Sequence, residues 1–111
     1  MRKALQIDID GTTTELDLDA SEGSLKVLQG AVGGWVQAID LNENLTMWLN
    51  EEGKLDGLAP NLFGTLLFSR RFGEGLDTIV GNVVLTGGTD EEGDTLGLTE
   101  EQLKTFQFIT A

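Results

Sequence analysis

Lys3-Ala4-Leu5-Gln6-Ile7-Asp8-Ile9-Asp10-Gly11-Thr12-Thr13-Thr14-Glu15-Leu16-Asp17-Leu18 alternates apolar and polar residues on both sides of an Asp10-Gly11 pair. Asp-Gly between two alternating runs is a strong local hairpin signal, because a two-residue tight turn needs φ > 0 at both central positions. The pattern therefore predicts two antiparallel strands. Leu5, Ile7 and Ile9 fall on one face of the first strand, and Leu16 and Leu18 are expected to continue that face after the turn. The other face then carries Asp8, Glu15, Asp17 and Asp19. Like charges across a strand pair repel, so this face is either solvated or kept acidic for a partner.

The remaining chain alternates helical and extended patterns. Asp19 or Ser21 suits a helix cap, with Glu22 three residues after Asp19. Leu25, Leu28 and Val32 form one helical stripe, closed by Gly33-Gly34. Trp35 to Leu41 and Leu45 to Leu49 read as strands around an Asn42-Glu43-Asn44 turn, with a further turn at 50–54. Pro60 suits a first helical position, opening an apolar helix that ends at Arg70-Arg71, where the dipole favours cations. Thr78 to Thr86 reads as a strand with Gly81 as a bulge, and 87–97 as an acidic loop. Thr99-Glu100-Glu101-Gln102 has the capping-box pattern of a last short helix reaching Phe106. Together these predict one α+β domain over residues 1–111, a mostly antiparallel sheet with an N-terminal hairpin and two or three short helices packed on it.

Composition removes whole classes of chemistry. The chain has no Cys, His or Tyr, which excludes disulfides, thiolate zinc sites, a catalytic thiol and an imidazole base. With 19 acids against 7 bases, the net charge is −12. Direct binding to nucleic-acid phosphates or anionic lipid is disfavoured, since both run on Lys and Arg; a basic protein surface is the natural electrostatic partner. Met1-Arg2-Lys3 precedes a run too short and interrupted for a signal peptide, and no stretch is apolar enough to span a bilayer. A cytoplasmic protein is expected.

Two motifs invite sharper readings. Asp8-Ile9-Asp10-Gly11-Thr12 looks like the nucleophile loop of haloacid-dehalogenase-type phosphatases, which requires a strand, a loop and then a helix; here residues 12–19 continue as a strand. Asp90, Glu92, Asp94 and Glu101 take positions one, three, five and twelve of a calcium loop, but position six is Thr95, where the turn calls for Gly. A solvated acidic loop is the simpler reading. No metal or cofactor is expected.

The order of Leu25-Lys26-Val27-Leu28-Gln29, Val32-Gly33-Gly34-Trp35-Val36, Asn50-Glu51-Glu52-Gly53-Lys54, Pro60-Asn61, Ile79-Val80-Gly81-Asn82-Val83-Val84 and Leu98-Thr99-Glu100 resembles an uncharacterised domain family, number 3846 among the domains of unknown function. That family occurs largely in bacteriophages and in plasmid-rich or actinobacterial genomes. The resemblance spans residues 24–102, leaves the hairpin outside, implies a small cytoplasmic phage-type α+β domain, and transfers no catalytic residue. It also singles out Asn50, Glu51, Glu52, Lys54 and Asn61 as a polar constellation, read first as a turn plus a helix entry with Asn61 bonding free backbone groups, and second as a ligand-binding rim.

The expected function is a non-enzymatic accessory protein binding a basic host protein, in the host cytoplasm if phage-encoded. It would act through Asp8, Glu15, Asp17, Asp19, Asp90, Glu91, Glu92 and Asp94, in the manner of a nucleic-acid charge mimic. The alternative is a small-ligand or nucleotide-sequestering module built from Asn50, Glu52, Lys54, Asn61, Arg70 and Arg71.

Overall fold

The computed structural model describes residues 2–110. Its elements are β1 (Lys3–Ile7), β2 (Thr13–Asp17), α1 (Ser24–Val32), β3 (Val36–Asn42), β4 (Leu45–Asn50), α2 (Leu62–Phe72), β5 (Val83–Thr86) and α3 (Glu100–Thr110). The five strands form one antiparallel sheet in the order β2-β1-β5-β4-β3. The class is α+β, as the residue pattern predicts.

The hairpin is present, but its turn and its faces differ from the expectation. Asp8 N–H donates to Thr12 O and Gly11 N–H to Asp8 O, both at 2.9 Å. Among the described residues no non-glycine has positive φ, whereas Gly11 sits at φ 88°. This is a three-residue loop, a tight turn followed by one left-handed glycine. Ile9 therefore lies in the turn, half exposed, rather than on the strand face. The extra turn residue also shifts the register. Leu5 pairs with Glu15 and Ala4 with Leu16, so Leu16 shares a face with Ala4 instead of Leu5. A one-residue change in register moves every side chain of a strand to the other face.

Both faces of the sheet are consequently apolar. Leu5, Ile7, Leu41, Leu45, Met47, Leu49, Ile79, Val83 and Leu85 form one layer, which Phe63, Leu67 and Phe68 of α2 and Leu103 and Phe106 of α3 cover. Ala4, Leu18 and Val84 form the opposite layer, covered by Leu28 and Val32 of α1. Central strand β5, Val-Val-Leu-Thr, is buried at every position, as a strand with both faces covered must be. Leu18 lies at 1% exposure, a burial that contributes about 1.5–3 kcal/mol.

Several boundaries move for local reasons. Asp19 bonds Arg2 rather than capping α1, whose N-cap is Gly23 with no side-chain cap bond. Leu25 is exposed, and Val27 and Ala31 join Leu28 and Val32 on the buried side. Pro60 forms an isolated bridge to Val80, so α2 starts two residues after it, with Asn61 as the N-cap. That bridge and Gly81 at φ 77° interrupt the expected 78–86 strand and leave β5 at four residues. The capping box forms as predicted: Thr99 N–H donates to Gln102 Oε1 at 2.9 Å, and Gln102 N–H to Thr99 Oγ1 at 3.0 Å. Helix α3 runs to Thr110, past the expected Phe106. None of the helices among the described residues is long and apolar enough to cross a membrane.

Candidate functional site

With all strands antiparallel, one end of the sheet gathers the start of β1, the β3–β4 turn, the segment after β5 and the start of α3. Long-range bonds tie these parts together. Leu98 N–H donates to Lys3 O at 2.8 Å, Arg2 Nη1 to Thr95 O at 2.9 Å, and Gln102 Nε2 to Asn44 O at 3.0 Å. The 87–96 segment folds back on itself through Gly87 N–H to Leu96 O and a Thr89–Thr95 bridge. Its base lies so close to the β3–β4 turn that a Cβ on Gly88 would stand 2.0 Å from Glu43 O.

Folding thereby brings Glu43, Asp90, Glu91, Glu92, Asp94, Glu100 and Glu101 to this end, all exposed. Among the described residues none of them is in an ion pair. Glu43, Glu100 and Glu101 were not part of the set expected from sequence; the capping box placed Glu100 and Glu101 at a helix start, but nothing local put that start beside the 90–94 loop. Asp90, Glu92 and Asp94 also bring carboxylate oxygens within 4.8 Å of one another, so they could hold a hard cation. Asp90 Oδ1 already accepts from the N–H groups of Glu92 and Asp94 at 2.9 Å, which is enough to shape the loop.

The hairpin acids do not form one face. Register places Glu15 and Asp17 on the side of Leu5 and Asp8 on the other, at the far end of β1, where its carboxylate accepts from Gln6 Nε2 at 2.7 Å. Glu15 pairs with Lys3 at 3.5 Å. Asp19 takes the Arg2 backbone N–H at 2.7 Å and its side-chain Nε at 2.8 Å; these bonds, in that order, hold its carboxyl below the ordinary value. Asp19 is thus next to the acidic end but neutralised there, and Asp17 Oδ1 accepts the Asp19 N–H.

The Asn50–Asn61 constellation is divided by burial. Asn61, fully buried, caps α2 by accepting from Gly64 N–H at 3.0 Å, and its Nδ2 donates to Ile7 O and Gly81 O, each at 3.0 Å. Asn50 is buried too, donating to Val32 O at 3.2 Å and accepting from Glu52 N–H at 2.8 Å. These amides join helices to the sheet: Asn61 bonds free backbone groups at the helix entry, as that reading of the sequence expects, and neither asparagine is free to build a binding rim. Glu51, Glu52, Lys54 and part of Asn50 do line a cleft of about 170 Å³ together with Gln37, Ile39, Leu55 and Asp77. Lys54 is bonded to Asp77, which lowers the Asp77 carboxyl below its usual range. Asn61, Arg70 and Arg71 do not line this cleft.

The match with known families decides membership. Residues 1–110 match the family described as Domain of unknown function (DUF3846). The chain belongs to that family. No curated protein and no solved structure matches the chain. The family domain includes the N-terminal hairpin, which corrects the expectation that the likeness starts at residue 24.

Within this family member, the Asp8–Thr12 loop joins two antiparallel strands rather than a strand and a helix. Asp10 Oδ1 accepts from Thr12 N–H at 2.9 Å, a bond that lowers its carboxyl below the ordinary value. The loop is a turn held by its own side chain, unlike the nucleophile loop it resembles in sequence.

Proposed function

We propose that this chain is a non-enzymatic binding module that presents the acidic end of its sheet to a basic protein surface, as a phage-encoded accessory protein acting on a host protein would. One observation carries the reading: seven exposed carboxylates from three distant segments, Glu43, Asp90–Asp94 and Glu100-Glu101, meet at one end without ion-pair partners among the described residues. A patch of this sign raises the rate of encounter with a cationic surface and makes association salt-sensitive. It also repels nucleic acid, so a protein that binds nucleic acid is the natural target of such charge mimicry.

The test is capture from bacterial lysate at low and high salt, with a variant carrying Asp90→Asn, Glu91→Gln, Glu92→Gln and Asp94→Asn in parallel. A discrete basic protein should be retained at low salt, released at high salt and lost with the variant. Retention that ignores both salt and the variant refutes the reading.

The small-ligand alternative rests on the cleft lined by Asn50, Glu52 and Lys54. Its volume falls below the roughly 300–1,000 Å³ of small-molecule sites. A nucleotide panel in thermal unfolding tests it: a true ligand at a hundredfold its Kd should add about 2.7 kcal/mol.

A further inference from the structure

We propose that the outer edge of β3, over Val36–Asp40, docks an extended cationic segment of a partner protein, which adds to the sheet as a sixth strand. This rests on the reading that the partner is basic and specifies how it binds. The two edges of the sheet are unlike. Edge strand β2 is five residues long, Thr-Thr-Glu-Leu-Asp, with two acids and the Glu15–Lys3 pair. Edge strand β3 is seven residues long, pairs only with β4, and carries no charge from Val36 to Ile39. Natural edges are normally guarded by charge, proline or bulges. Among the described residues the guards on β3 are the charge of Asp40 and the irregularity between Asp40 and Asn42; both lie at its far end and leave Val36–Asp40, about 17 Å of strand.

The surroundings point to the occupant. Gln37 and Ile39 of this edge line the 170 Å³ cleft with Glu51, Glu52 and Leu55, so the cleft opens beside the strand. It is too small for a nucleotide and of the size of one long side chain. Every second side chain of an added strand points the same way, so one of them enters it. Carboxylates stand at both ends of the run: Glu51 and Glu52 near its start, since Glu51 N–H donates to Trp35 O at 2.8 Å, and Asp40 and Glu43 near its end. The one cation in the cleft, Lys54, is bonded to Asp77. Trp35, 67% exposed immediately before β3, offers an aromatic face to Lys or Arg. A second copy of the chain would bring another net −12 to the same edge, so charge favours a cationic strand over self-pairing. Backbone bonds would supply affinity and the cleft and carboxylates selectivity, as in other strand-addition complexes.

The probe is a short peptide of alternating lysine and valine, compared with the same peptide N-methylated at every residue after the first, which keeps the charge and loses strand pairing along both edges. Binding is followed by amide chemical shifts of the full chain. The expected result is roughly tenfold tighter binding of the unmethylated peptide, shifts centred on Val36–Asp40, and loss of that preference in Ala38→Lys, whose exposed site tolerates the change. A urea midpoint checks that this variant folds. Equal binding of both peptides with shifts at Asp90–Asp94 overturns strand addition but leaves the acidic-surface reading standing. Binding of neither overturns both. A dimer that Ala38→Lys dissociates overturns the cationic occupant in favour of a second copy.

Discussion

The two ends of the sheet use polar residues in opposite ways. At the end holding the β1–β2 turn and the start of α2, Asn50 and Asn61 are buried, and their amides bond carbonyls and N–H groups of α1, β1, α2 and the chain before β5. At the other end, tight backbone approaches and one capping box hold the 87–99 segment in place, and the carboxylates it carries are left to solvent. Buried polar groups must find partners inside the protein; exposed carboxylates carry no such obligation. The first end is where buried polarity holds the fold together, and the second is where exposed carboxylates collect.

Substitutions at each end should separate these roles. The largest effect is expected for Asn61→Ala, which removes the α2 cap and leaves the Ile7 and Gly81 carbonyls without their donor. Urea unfolding should show a loss of about 3 kcal/mol. Gly88→Ala forces a Cβ against Glu43 O, and overpacking of this kind costs about 2 kcal/mol. Hydrogen exchange should quicken first in 87–98 if the two ends open separately; uniform acceleration would show that they are one cooperative unit. Thr99→Ala removes half of the capping box and should cost about 1 kcal/mol, read from the denaturant midpoint.

The smallest effect is a pH dependence. Asp19 is held below the ordinary carboxylate value of 3.8, first by the Arg2 backbone N–H and then by its side chain. Because the folded value is the lower one, this pairing stabilises fully above the ordinary value. The contribution disappears as pH falls below it through the folded value. The urea midpoint of Asp19→Asn should therefore fall less steeply on acidification than that of the natural chain. Identical slopes would place the acid sensitivity elsewhere.

Much of the local structure was legible from residue order. The Asp10-Gly11 hairpin, the Leu45–Leu49 strand, the Gly33 helix end and the Thr99–Gln102 box rest on interactions within a few residues, where spacing and residue type are enough. The candidate site was only partly legible. Asp90–Asp94 stand out as an acidic run, but Glu43 joins them through the packing of Gly88, and Asp8 leaves them because β1 carries it to the far end. Asn61 was legible as a helix-entry residue after Pro60, but its burial and that of Asn50 were not, since asparagine suits a turn, a cap or a binding rim alike.

Residue order by itself determined the α+β class, the strand and helix sequence, the lack of cysteine and histidine chemistry, and a charge that repels phosphates. The folded structure decided which face β2 presents, because a three-residue loop closed between Asp8 and Thr12, rather than a two-residue one, reverses its side chains. It also decided which acids share an end and which asparagines lie in the interior. The grouping of acids and the burial of asparagines depend on hydrogen bonds and close approaches between residues tens of positions apart, and no local pattern records them.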